Sequence, residues 1–133
     1  MPPPVVASIN EGMWRAAADG RLAVQRCSDC RAHRYPPTDG CYRCASTRWE
    51  WSDLPGTATV YTYIWVPSRS DPDSRYNVAV VTLEGTEGDP VRILSNVVDA
   101  WEDGDLAIGD RVRLQPVGFG EGLALPCFVR TGT

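Results

Sequence analysis

The sequence predicts a mainly β chain in three parts: a short N-terminal helix, a small metal-holding ribbon, then a five-stranded barrel. Three observations point there. Two Cys-x-x-Cys units, Cys27–Cys30 and Cys41–Cys44, lie close together in the first half. From Gly56 onward, β-branched and aromatic residues recur in strand-length runs cut by Gly, Pro and Asp turns. No long helical period appears anywhere.

The first element is the helix. Ser8-Ile9-Asn10-Glu11 fits a capping box, Met13, Trp14, Ala17 and Ala18 form an apolar stripe, and Gly20 supplies the stop. Trp14 reads first as packing for that helix and second as an anchor for a partner. Leu22 and Val24 alternate with polar neighbours and predict a strand over 21–26 that runs into the first cysteine pair. Residues 32–35 return, and Pro36-Pro37 breaks them. Thr47-Arg48-Trp49-Glu50-Trp51 alternates as another strand, and Asp53-Leu54-Pro55-Gly56 makes a turn and a module boundary. The expected division is therefore 1–20 helix, 21–54 ribbon and 55–133 barrel.

Beyond Gly56 the expected strands are 57–66, 76–83, 91–98, 111–117 and 123–130. A polar loop containing Asp71-Pro72-Asp73 joins the first two. The acidic segment 99–109 holds one helical turn, and Gly118, Gly120 and Gly122 make the last connection. Five strands, a short irregular insert between the third and fourth, and no long helix describe an OB-type barrel; spacing alone leaves an SH3-like barrel open.

The cysteines carry the clearest chemistry. Each Cys-x-x-Cys turn aims two sulfurs at one point, and two such turns complete a tetrahedral cage for structural zinc. Cys27, Cys30, Cys41 and Cys44 are the expected ligands, in a rubredoxin-like ribbon where iron stays an alternative to zinc. Four sulfurs leave no open position for water, so the expected role is structural. His33 lies between the pairs as a bystander. Cys127 stands alone in the last strand, where it resembles a small buried hydrophobe.

Composition bounds the rest. At 133 residues, with 43% hydrophobic and 23% charged residues, the chain is ordinary globular protein. Apolar runs such as Val78–Val81 are too short to span a membrane. Met1-Pro2-Pro3-Pro4-Val5-Val6-Ala7 lacks the flank and length of a secretory signal, so a cytoplasmic location with reduced thiols is expected. All 13 basic residues are arginine, which removes lysine chemistry. With one histidine and no Gly-x-Ser-x-Gly, neither a serine triad nor a pyridoxal phosphate site can be built, and carboxylates such as Glu102, Asp103 and Asp105 read as a solvated loop face. No catalytic residue is expected. Residues 1–52 carry 7 Arg against 5 Asp/Glu, whereas residues 53–133 carry 6 against 12. An acidic barrel is a poor partner for nucleic acid, whose affinity rests on cations.

The ordered set of pieces resembles a known family over nearly the whole chain. The matching stretches are Trp14, Gly20-Arg21-Leu22, Gln25-Arg26-Cys27-Ser28-Asp29-Cys30, Tyr35-Pro36-Pro37, Cys41-Tyr42-Arg43-Cys44, Trp49-Glu50-Trp51, Gly56 through Tyr61, Ile108-Gly109-Asp110 and Leu125-Pro126-Cys127-Phe128. The chain is identified as a member of the acyl-CoA-associated zinc-ribbon/OB-fold family catalogued as domain of unknown function 35. The resemblance implies an accessory module of thiolase-like enzymes or of lipid-transfer-protein-like retro-aldolases of bacterial steroid side-chain degradation. It implies a heterotetramer, at times with a hydratase subunit, in which the chemistry sits in the partner and acyl-CoA is shared at the entrance. Two other functions compete: a nucleic-acid-binding ribbon and OB module, and a free-standing acyl-CoA-binding protein.

For docking, Tyr61, Tyr63 and Trp65 are expected on one face of the first barrel strand, because residues two apart share a side. Together with Trp14 they are the expected partner or acyl-CoA entrance residues, with simple barrel packing as the alternative.

Overall fold

Buried residues 13, 14, 16 and 17 set the first element of the computed structural model, which describes residues 9–71 and 73–131. The helix α1 spans Glu11–Ala18. Its apolar stripe includes Ala16 and excludes Ala18, because at 100° per residue position 18 falls away from the face centred between 13 and 17. Ser8 lies outside the described residues. Asn10 holds the cap position, so Glu11 opens the helix and pairs with Arg15 at 2.7 Å.

Three short strands form the ribbon: β1 (Leu22–Cys27), β2 (His33–Arg34) and β3 (Trp49–Leu54), in the antiparallel order β2-β1-β3. The other five are β4 (Thr57–Pro67), β5 (Arg75–Leu83), β6 (Arg92–Ser95), β7 (Arg111–Gly120) and β8 (Leu123–Arg130), paired in the order β6-β5-β4-β7-β8. This sheet curls into an OB-type half-barrel. Its edges approach where the chain runs on from β6: Val97 bridges Phe128 in parallel, with Val98 N–H donating to the Phe128 carbonyl at 2.8 Å. A 3₁₀ turn at Asp103–Asp105 supplies the expected helical turn of the acidic segment.

Three expectations shift: the strand expected over 47–51 runs from Trp49 to Leu54, so Asp53 and Leu54 pair with β1 and the turn narrows to Pro55-Gly56. The strand expected over 111–117 continues to Gly120, because Gly118 and Gly120 pair with Ala124 and Leu123; the glycines lie in the hairpin ladder, with a bulge at Phe119. The strand expected over 91–98 ends at Ser95, where the chain leaves β5 to meet β8.

Phe128, Val60, Val81, Val97 and Val112 fill the half-barrel, all at 1% exposure or less. Leu22 and Val24 of β1 belong to the same cluster, with Tyr35 and Leu54 packed against it. Ribbon and barrel therefore share one apolar core. Helix α1 lies along β8, and its Trp14 meets Phe119 of β7 edge-to-face at 5.2 Å. Gly12 leaves room for the indole of Trp51, whose Nε1 any added Cβ would strike.

Candidate metal centre and surrounding surface

Two knuckles of matching hydrogen bonding deliver the four cysteines. In the first, Cys27 N–H donates to Ala32 O and Arg31 N–H to Cys27 O; in the second, Cys41 N–H donates to Ser46 O and Ala45 N–H to Cys41 O. Arg31 and Ala45 end the two turns with φ of 67° and 63°. The repeat aims both pairs of sulfurs at one point. The sulfurs of Cys27 and Cys44 lie 3.6 Å apart, those of Cys30 and Cys41 3.5 Å, and all four within 4.8 Å. A regular tetrahedron of sulfur around zinc has edges of about 3.8 Å, so donor set and spacing both fit that ion.

The backbone prepares the thiolates. The Cys30 amide donates to the Cys27 sulfur and is the main cause holding that thiol down to about 6. The Arg43 amide lowers Cys41 in the same way. At Cys44 the Ser46 amide pulls downward, but hydrogen bonds with Cys27, Cys30 and Cys41, together with burial, outweigh it and push the thiol up to about 12.

Side chains brace the cage. Asp29 of the first knuckle accepts from Ser46 and Arg48 beyond the second, and these contacts, Ser46 first, hold its carboxyl below the usual range. Below the knuckles, buried Gln25 accepts at Oε1 from Arg34 Nε and from the Thr38 amide, both at 2.8 Å. Arg34 also donates to the Thr38 carbonyl, so the pair fixes the Pro36-Pro37 connection. This buried polar staple left no motif in the sequence.

His33 stands outside the sulfur cluster, 3.5 Å from the Ser52 hydroxyl, its pKa lowered by burial and then by Arg26 and Arg31. Cys127 is buried, and burial raises its thiol. The loop carboxylates form the exposed face expected of them, and they also hold the turn together. Asp105 accepts from the amides of Trp101 and Glu102 and pairs with Arg130, while Asp103 accepts from Trp65 Nε1 at 2.6 Å.

The four expected docking residues do not share a surface. Trp14 is 8% exposed, spent on β8 and Phe119. A bulge between Val60 and Thr62 reverses the alternation of β4, so Ala58 and Val60 face inward before it and Tyr63 and Trp65 after it. Tyr63 and Trp65 pack on the core edge-to-face, with Tyr63 Oη donating to the Leu106 carbonyl. Tyr61 is left outside, with the Arg92 guanidinium 4.2 Å above its ring. A one-residue insertion is invisible to a period-two reading.

The comparisons with known proteins match this architecture. A model of the rubredoxin-like zinc ribbon domain of ChsH2 matches residues 14–50, and one of the C-terminal OB-fold domain of ChsH2 matches residues 51–116. Among solved structures, the chain is similar to one described as an Ltp2-ChsH2(DUF35) aldolase, with 31% identity, TM-score 0.80, and coverage of 96% of this chain and 98% of that one. A DUF35-family protein from Sulfolobus solfataricus shares the fold at TM-score 0.59 and 15% identity, over 82% of this chain and 78% of that one. Among curated proteins, a "Probable enoyl-CoA hydratase alpha subunit" of Thermomonospora curvata is 33% identical over 127 residues. That match covers 96% of this chain and 39% of the relative, so the chain spans about two fifths of that protein's length.

Proposed function

The chain belongs to the ChsH2 (DUF35) family of zinc-ribbon/OB-fold proteins, and we propose that it is a non-catalytic accessory subunit of an acyl-CoA-processing enzyme. One observation carries this reading: the likeness to the ChsH2 part of a two-protein aldolase runs the length of both chains. The hydratase relative adds a second link to acyl-CoA chemistry. In this reading Cys27, Cys30, Cys41 and Cys44 hold a structural zinc that fixes the ribbon against the barrel. The partner is a thiolase-like or lipid-transfer-protein-like subunit in a heterotetramer, acting in the cytoplasm. The reaction is retro-aldol cleavage of an acyl-CoA thioester; the steroid side chain as the acyl group rests on the resemblance drawn from sequence. The side chains here suit support. Asp29, Asp103 and Asp105 are spent on bracing contacts, and the Cys127 thiol is buried.

Co-expression with the Ltp2-type enzyme of the same organism, followed by gel filtration and an aldol-cleavage assay, tests the proposal. The two chains are expected to co-elute, and the partner to lose solubility or activity without this one. Isolated chain is expected to leave β-hydroxyacyl-CoA thioesters intact. Separate elution with a fully active partner, or cleavage by this chain alone that one substitution here abolishes, overturns it.

A further inference from the structure

The outside of the half-barrel has the wrong chemistry for a surface facing only water. Outward positions follow from register: Thr62, Val80 and Leu94 stand in one row across β4, β5 and β6, and Ile64 and Val78 in the next. An exterior face of an antiparallel sheet is ordinarily polar. Here Ile64 is 61% exposed and Leu94 65%, with Val78 and Val80 half-buried between them.

The apolar surface continues around the barrel. Where the chain beyond β6 crosses to β8, a hollow of about 410 Å³ opens, lined chiefly by Tyr76, Val98, Trp101, Val117, Leu125 and Cys127. Trp101 at its rim is 70% exposed. The belt runs from β4 past β8 to β7, five strands or ~20 Å at ~4.8 Å spacing. With a rim on each side, that approaches the ~800 Å² per partner of a standard interface.

Charge says what kind of partner fits. The carboxylates beside Trp101 are already engaged: Asp99 and Asp105 with Arg130, Asp103 with Trp65, and Glu102 in the cap of its own 3₁₀ turn. Within strands β4 to β8 every charged residue is an arginine, and the carboxylates, Glu121 without an ion pair among them, lie in the connecting loops. Arg92, two residues before Leu94 on the same face, lies over Tyr61, and Arg113 lies four residues before Val117. Neither faces a carboxylate among the described residues, although the chain holds 17 Asp and Glu against 13 Arg. Aromatic residues and arginines around an apolar centre are what interface hot spots are made of.

We propose that this belt, from Ile64 and Leu94 to the hollow beneath Trp101, is the surface on which the partner enzyme subunit docks, through an apolar patch rimmed with carboxylates. The inference rests on the accessory reading above and names the face that serves it. The test is co-expression of the full chain with the Ltp2-type enzyme of the same organism, with binding measured on purified, zinc-loaded protein. Ile64→Asp combined with Leu94→Asp is expected to keep zinc content and melting temperature and to weaken association at least 100-fold. Arg92→Glu with Arg113→Glu is expected to slow association about tenfold and to flatten its salt dependence, because rim charges act mainly on the on-rate. Ile108→Asp, an exposed apolar position in the turn before β7, is the control and is expected to change nothing. If the Asp pair binds as the parent does, or Ile108→Asp alone breaks the complex, the belt is overturned while the accessory reading stands. If the parent chain does not bind the enzyme at all, the accessory reading falls and takes the belt with it. If the Asp pair only splits a dimer of this chain, the belt is a self-contact and the proposal is wrong.

Discussion

Ribbon and barrel solve the same problem by different means. The barrel hides Phe128, Val60, Val81 and Val112 behind five paired strands and holds them by apolar packing alone. The ribbon pairs only two residues of β2 with β1, exposes Cys30 and Cys44, and holds its far end with sulfur and polar contacts. Its near end, Leu22 and Val24, is borrowed into the barrel core. The difference teaches where each region fails: the barrel by loss of volume, the ribbon tip by loss of ligand charge.

The largest effect expected is therefore metal removal. A structural zinc in a small ribbon contributes on the order of 10 kcal/mol or more to the fold that binds it. Chelation, or Cys44→Ser, is expected to release one zinc per chain and to erase NMR dispersion for residues near 27–48 while β4, β5 and β7 keep their amide protection. Loss of protection throughout the barrel at the same chelator concentration would show that the two regions are one cooperative unit and break the contrast.

The converse perturbation is a cavity in the barrel. Phe128→Ala, at a fully buried position, is expected to cost about 3–5 kcal/mol. Trp14→Ala belongs to the same class. Because Trp14 is buried against Phe119, its loss is expected to cost about 3 kcal/mol of fold stability rather than affinity for a partner. Urea unfolding with parallel zinc analysis separates the cases: both variants are expected to keep stoichiometric zinc below their lowered midpoints.

These contrasts mark how far the sequence was legible. The cage was readable because Cys-x-x-Cys is a local geometric device, complete within each turn. The barrel strands were readable because β-branched and aromatic runs persist longer than their errors. What stayed hidden depends on one-residue events or on distant partners. The bulge at Tyr61 turned a three-residue aromatic face into two packed rings and one exposed ring. The Gln25–Arg34–Thr38 staple joins residues with no common motif, and Gly12 looks like an ordinary helix residue until Trp51 is seen lying against it. The acidic turn is exposed, as its composition suggests, but the sequence does not show that Arg130 and the amides of residues 101 and 102 converge on Asp105.

A smaller effect sharpens the ribbon side. Ala45 closes the second knuckle at φ 63°, a left-handed conformation that costs an L-residue with a Cβ roughly 1 kcal/mol. Ala45→Gly is expected to stabilise the ribbon by up to about 1 kcal/mol, read as tighter zinc binding in competition with a chelator, and to leave the barrel's urea midpoint unchanged. Arg31, at φ 67°, is the less clean site because its guanidinium also pairs with Glu50. If Ala45→Gly weakens zinc retention, the knuckle is not limited by backbone strain.

The smallest effect expected concerns acid. Asp29 ties the knuckles together through the Ser46 hydroxyl and Arg48, and these contacts lower its pKa in the folded state. A carboxyl with a lowered folded pKa contributes stability above its unfolded value, near 4, and loses that contribution as pH falls through the lower folded value. Zinc leaves by protonation of thiolates, which begins at higher pH, so Asp29 is still charged and bracing when the cage opens. Asp29→Asn should then shift the pH of zinc release slightly upward, and the shift should shrink with added salt because the Arg48 pair is exposed. Carboxyl NMR tests the cause directly: Ser46→Ala and Arg48→Gln are each expected to raise the Asp29 titration midpoint, because hydroxyl and guanidinium both hold the carboxyl down. The apolar core of the barrel, Phe128, Val60, Val81 and Val112, does not titrate, so β4 and β5 should keep their amide protection across the same pH range. An Asp29→Asn variant that releases zinc at the parent's pH would leave the sulfur cage alone responsible for the ribbon tip.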